Sequence, residues 1–156
     1  MDDKVFQKRL LDLKNEGEET IRYCQKKNEE ACKVYERSCA DKQWLQRYCP
    51  TQFLYENQEL KSCGKAQTIF NANAARLVQD LEVDDDPRLE LVHKLRTEVI
   101  MTRRKGIEKL YTKLQQLDLK VQKANEVHNA QVNSNAYTLE IRNKVSAFQD
   151  VNLMTN

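Results

Sequence analysis

The side chains best suited to nucleophilic or metal chemistry are five cysteines, Cys24, Cys32, Cys39, Cys49 and Cys63, and two histidines, His93 and His128. Zinc is commonly held by closely spaced Cys and His pairs. Here the cysteine gaps are 8, 7, 10 and 14 residues, and no Cys-x-x-Cys occurs. On one helix, residues seven apart lie roughly 10 Å apart along the axis, too far to share one ion. Cys24, Cys32 and Cys39 instead recur at one to two heptads on one face, as packing thiols do. An odd count with no secretion signal predicts free thiols in a reducing compartment.

His93 and His128 lie 35 residues apart on one predicted helical segment, so an unbroken helix would keep them from meeting. Three glycines in the chain leave no room for a phosphate-binding or dinucleotide-binding loop, and no serine-hydrolase or zinc-protease motif is present. Asp84-Asp85-Asp86 could suggest calcium, but the central Gly and distal Glu of an EF-hand loop are missing. Helix capping accounts for these acids better, with Asp86 as N-cap and Pro87 at the first helical position. No catalytic, metal or cofactor-binding residue is expected, and the chain reads as a non-enzyme.

Charge is distributed unevenly. Residues 1–86 hold 14 basic and 17 acidic side chains, whereas residues 87–123 hold 10 basic and 4 acidic. Lys94, Lys105, Lys109, Lys113, Lys120 and Lys123 fall within roughly a 100° sector of a helical wheel. Such a stripe suits an anionic surface, and an acidic protein partner is its sharpest reading. Nucleic acid and membrane are disfavoured, because the stripe lacks interleaved aromatics and the net charge is only +2. A solvated lysine face, or pairing with the acidic first half, is the plainer account.

The elements carrying these residues are predicted to be helices. Charged residues make up 32% of the chain against about a quarter for Leu, Ile, Val and Phe together, and there are only three Gly and two Pro. Long helices with one narrow apolar stripe fit that balance better than a thick core. The prolines divide the chain into helices over about 3–48, 52–82 and 87–124, with a C-terminal arm over 125–156. The first carries Phe6, Leu10, Leu13, Gly17, Ile21, Cys24, Ala31, Tyr35 and Cys39 on one stripe, and Asn28 falls on it too. The second repeats Phe53, Leu60, Gln67, Ala74 and Leu81 at sevens, with Cys63, Phe70 and Leu77 interleaved. The third repeats Ile100, Ile107, Leu114 and Val121 at sevens with Leu110 and Leu117 between them, a seam suited to a partner helix. Arg103, His128 and Asn135 place polar groups on or near that seam, where they can set register or partner choice.

The expected fold is all-α: an antiparallel three-helix arrangement of two helices and a very long, potentially broken C-terminal helix, with coiled-coil-like seams. The alternative is a compact bundle of four or five helices, cut at Gly17, Gly106 or the Asn-rich stretch 125–135. The acidic N-terminus lacks a secretory pattern and no stretch reaches a membrane span, so an intracellular, cytoplasmic location is expected, with nuclear or cytoskeletal association open.

In composition and periodicity the layout resembles small helical subunits of cytoskeletal, kinetochore and vesicle-tethering complexes. The leading expectation is a structural or adaptor subunit that assembles with other helical chains, itself or others. A self-sufficient bundle that binds an acidic surface or peptide is the alternative, and an enzyme with a Cys/His site is a remote third.

Overall fold

The computed structural model describes residues 1–40 and 49–155, with side chains described through residue 145. The elements are α1 (Asp3–Ala40), α2 (Pro50–Glu56), α3 (Gln58–Glu82) and α4 (Leu89–Thr155), so the chain is all-α among the described residues. The expected continuation of the first helix over 41–48 lies outside them. Cα packing separates two units, Met1–Leu117 and Asp118–Asn156.

Within the first unit, α1 and α3 run antiparallel. Arg9 pairs with Asp80, Glu16 with Asn73 and Tyr23 with Ser62, so residue numbers rise on one helix as they fall on the other. The first part of α4 runs antiparallel to α3 and alongside α1 in the same direction, with Val99 against Gly17 and Asn28 against Gly106. This is the three-helix arrangement expected from the sequence. It carries one short addition, α2, which starts on Pro50 where a missing N–H costs nothing. Asn57 then caps α3 by accepting from the Leu60 amide at 3.1 Å.

None of the three suspected breaks occurs. α1 passes through Gly17, and α4 is helical through Gly106 and residues 125–135. Gly17 serves packing instead. A Cβ there would lie 2.8 Å from Val99 Cγ2 and 3.2 Å from Phe70 Cε2, so both side chains press against bare backbone.

Two apolar clusters fill the unit. One gathers Phe6, Leu13, Phe70, Leu77, Leu81, Val92 and Val99 toward the α3–α4 turn. The other gathers Ala31, Cys32, Tyr35, Phe53, Leu110 and Leu114 at the far end, where Tyr35 and Phe53 meet edge to face at 5.1 Å. Between them on the three helices lies a layer containing Cys24, Asn28, Cys63, Gln67 and Arg103.

The α3–α4 turn is closed by its own backbone. Asp86 N–H bonds the Leu81 carbonyl at 3.0 Å and Asp85 N–H bonds Glu82 at 3.1 Å, while Asp85 takes a φ of +48°. This is the left-handed helix termination usually given to Gly, and Asp is among the few residues that tolerate it. α4 therefore begins at Leu89 rather than Pro87, but Asp86 still caps: its carboxylate accepts from the Arg88 amide at 3.0 Å. Arg88 fastens the turn to α1. Its guanidinium bonds Asp86, the Met1 carbonyl at 2.6 Å and Asp3 at 3.5 Å, and sits 4.6 Å from the Phe6 ring centre.

Two outcomes follow from this packing. Gly17→Ala should lower stability by about 1–2 kcal/mol, because the overpacking cost outweighs the roughly 1 kcal/mol helix-propensity gain. Gly64→Ala meets only ordinary contact, 3.6 Å from Arg103, and should raise stability by about 0.5–1 kcal/mol. Urea midpoints of the two variants, moving in opposite directions, check the pair.

A further outcome concerns pH. Hydrogen bonding from Arg88 holds the Asp86 carboxyl down to about 2. A depressed carboxyl stabilises the fold above its unfolded value near 4 and loses that contribution as pH falls through its folded value. Asp86→Asn should therefore melt below the parent at neutral pH. The gap between their melting temperatures should close between about pH 4 and pH 2.

Candidate functional sites on α4

α4 carries every residue that the sequence singled out for partner contact, and the structure sorts them into distinct environments. Leu114 is fully buried and Leu110 is 5% exposed, both within the chain's own second cluster. Ile100, Ile107, Leu117 and Val121 are half-buried. Leu110 and Leu114, expected on the partner-helix seam, pack against α1 and α2 residues of the same chain. The fully buried row on α4 is Val92, Val99, Leu110 and Leu114, one position out of phase at its start from the Ile100/Ile107 row. The reason is physical. Two adjacent apolar rows run along this helix, and the smaller valine at 99 is what fits against Gly17.

Lys94, Lys105, Lys109 and Lys113 are exposed, as are Lys120 and Lys123 in the second unit. Only Lys113 forms an ion pair among the described residues, at 3.8 Å from Glu36. Lys105 and Lys109 border a groove of about 560 Å³ between α1 and α4, with Gln25, Asn28 and Glu29 opposite and Arg103 at its inner side. A neighbouring groove of about 330 Å³ shares Lys109 and adds Cys32 and Lys113. Burial pushes the Cys32 thiol up against the opposing pull of Lys113, which keeps it protonated and poorly nucleophilic. Asn28 Oδ1 is buried between these grooves with no hydrogen-bond partner.

Arg103, expected on the helix-partner seam, points into the unit instead. Its Nε donates to Cys63 Sγ at 3.3 Å and its Nη1 donates to Gln67. Burial lowers its pKa from the ordinary guanidinium value, yet it stays charged. Cys63 is joined to Cys24, which corrects the reading of all five cysteines as free thiols. The two lie 39 residues apart on antiparallel helices, a juxtaposition that spacing along a single helix cannot reveal. Cys32, Cys39 and Cys49 take no part in a disulfide.

His93 is half-buried, whereas His128 and Asn135 are exposed. Among the described residues no group of three or more His, Cys, Asp and Glu side chains could hold a metal, and no helix is long and apolar enough to cross a membrane.

The second unit is a single helical stretch, and through residue 145 most of its large apolar side chains are uncovered. Leu119, Val127, Val132, Tyr137, Leu139, Ile141 and Val145 are all exposed, Tyr137 by 66%. At 100° per residue they fall on two faces. Val121, His128, Val132 and Leu139 share a sector of about 40°, while Leu119, Val127, Tyr137, Ile141 and Val145 share one of about 80° on the opposite side.

Comparison with protein-family models, with curated proteins and with solved structures gives no match.

Replacing Leu114 by Ala should cost about 2–5 kcal/mol, the range for emptying a fully buried aliphatic site. Lys109→Ala should stay within about 0.5 kcal/mol of the parent. Chemical denaturation of both variants distinguishes the closed part of the α4 seam from its solvent face.

Proposed function

We propose that the chain is a non-enzymatic structural or adaptor subunit, and that the stretch 118–155 of α4 takes its place among helices of other chains in a multi-protein complex. A cytoskeletal, kinetochore or tethering assembly fits this design best. The observation that carries the reading is the pair of opposed, uncovered apolar faces over residues 119–145. One face would call for one partner helix. Two faces on opposite sides call for at least two neighbours, as in the interior of a bundle.

Intrinsic propensity supports the same reading. Residues 125–135, NEVHNAQVNSN, include four Asn with His, Ser and two Val, residues that cost several tenths of a kcal/mol each relative to Ala in a helix. Summed over that stretch the deficit is on the order of 4–5 kcal/mol, which tertiary packing must offset. Asn135 and His128 then act as polar positions on a partner-facing surface, where an unmatched neighbour leaves them unsatisfied.

The lysines favour a second, weaker reading, in which the first unit binds an acidic protein surface through Lys105 and Lys109. What supports it is that neither has an ion-pair partner among the described residues.

Hydrogen exchange on the isolated chain, with its mass fixed by light scattering, tests the leading reading. In a monomer, amides of residues 118–155 should exchange at nearly unfolded rates while those of α1, α3 and residues 89–117 remain protected. Protection should appear over 118–155 upon assembly, and Val132→Glu with Ile141→Glu should abolish it without changing the melt of the first unit. A strictly monomeric chain with full protection over 118–155 would contradict the proposal.

A further inference from the structure

The layer between the two apolar clusters holds a cation without an anion. Arg103 forms no ion pair within 4 Å among the described residues; its contacts are Cys63 Sγ and the neutral amide of Gln67. A partly desolvated guanidinium facing only neutral acceptors is costly. Of the two groups it touches, Cys63 alone can become an anion by a chemical step, through reduction of its bond to Cys24.

The cavities on either side give the two sulfurs different roles. Cys24 borders the 560 Å³ groove between α1 and α4, alongside Lys105 and Lys109. Cys63 borders an adjoining cavity of about 160 Å³ that shares Asn28 and Arg103 with the groove and adds Tyr55 from α2 and Lys61 from α3; Cys24 and Cys63 are themselves only 3% and 1% exposed. Thiol–disulfide exchange requires an incoming thiolate at one sulfur and departure of the other, and it is faster when the leaving thiolate is stabilised.

We propose that the Cys24–Cys63 disulfide is a reducible exchange site: a small thiol bearing carboxylates enters the α1–α4 groove and attacks Cys24, and Cys63 leaves as a thiolate held by Arg103. The first thiolate forms a mixed disulfide with Cys24 Sγ, and the electron pair of the broken S–S bond goes to Cys63 Sγ. A second thiolate attacks the sulfur of the bound small thiol and releases its disulfide, and Cys24 takes a proton from water. Two small thiols are oxidised and one protein disulfide is reduced. Lys105 and Lys109 attract the carboxylates of the incoming thiol, against the opposing charge of Glu29 on α1. Cys32 is not the attacking thiol, since eight residues along α1 place it about 12 Å from Cys24.

The charged or titratable groups bordering these two cavities are Glu29 from α1, Tyr55 from α2, Lys61 from α3, and Arg103, Lys105 and Lys109 from α4. Four of the six are cationic, and Arg103 is in contact with the sulfur. That balance sets the sign: it favours the Cys63 thiolate over the thiol.

The test uses the full chain with Cys32, Cys39 and Cys49 changed to Ser. The protein is equilibrated in glutathione redox buffers, quenched in acid, alkylated and weighed by mass spectrometry. Arg103→Met should make the disulfide about tenfold harder to reduce, equivalent to about 30 mV for two electrons. It should also move the ultraviolet thiolate titration of the reduced protein to higher pH. Arg103→Lys, which keeps the charge, should recover part of both shifts, and it carries the test if circular dichroism finds Arg103→Met unfolded. Rates with glutathione should exceed those with the cationic thiol cysteamine after correction for thiolate fraction, and Lys105→Gln with Lys109→Gln should remove the difference. Unchanged equilibrium and titration in the Arg103 variants would overturn the role of Arg103. Equal rates with the two thiols would overturn the groove as the route of entry. Two free thiols persisting in oxidised glutathione would overturn the exchange site itself.

Discussion

How closely three helices can approach one another governs the Met1–Leu117 unit. At Gly17 the backbone of α1 receives Val99 from one neighbour and Phe70 from the other, with no room for even a methyl group. This contact places the first apolar cluster on one side and the polar layer on the other. Everything further along the helices inherits its register from that point, because steps of seven residues carry the same faces forward. Cys24 reaches Cys63, Arg103 reaches Gln67, and Leu110 and Leu114 then close over Tyr35 and Phe53. The part-buried polar contact of Arg103 with Gln67 adds specificity, since sliding α4 by one turn would separate the guanidinium from its acceptor.

Much of this order is legible in the sequence, since periodicity is a local property. The seven-residue repeat from Leu60 to Leu81, with Cys63, Phe70 and Leu77 between, describes the buried face of α3 with few exceptions, and the stripe on α1 names Phe6, Leu13, Cys24, Ala31 and Tyr35 correctly. Reading failed where the decisive partner lies elsewhere in the chain. Gly17 looks like a helix breaker when only its propensity is weighed, and becomes a packing residue once Val99 and Phe70 stand opposite it. The two apolar rows on α4 are equally regular, and only contact with α1 selects Val99 over Ile100. The disulfide joins helices that no one-dimensional pattern relates.

The Asp118–Asn156 unit obeys different physics. Most of its large apolar side chains from Leu119 to Val145 stay exposed, and its central stretch is built from poor helix formers. In the assembly proposed above, helix-stabilising free energy for this segment would come from neighbours, which would make its conformation and its association one equilibrium rather than two. The first unit is the opposite case, since its clusters and its capped turn are supplied by its own residues.

The tight closure at Asp84–Asp86 also bears on the order in which the first unit assembles. Leu81 and Val92, which meet across that turn, are 11 residues apart, whereas Arg9 must find Asp80 across 71. Loop-closure entropy rises with the logarithm of the separation, so the α3–α4 hairpin has the smaller cost and α1 has the larger. That order of cost would place the docking of α1, which brings Cys24 to Cys63, after the α3–α4 hairpin. On a ribosome α1 emerges before α3 and α4, so the residues of this unit that cover its apolar stripe are made only after it.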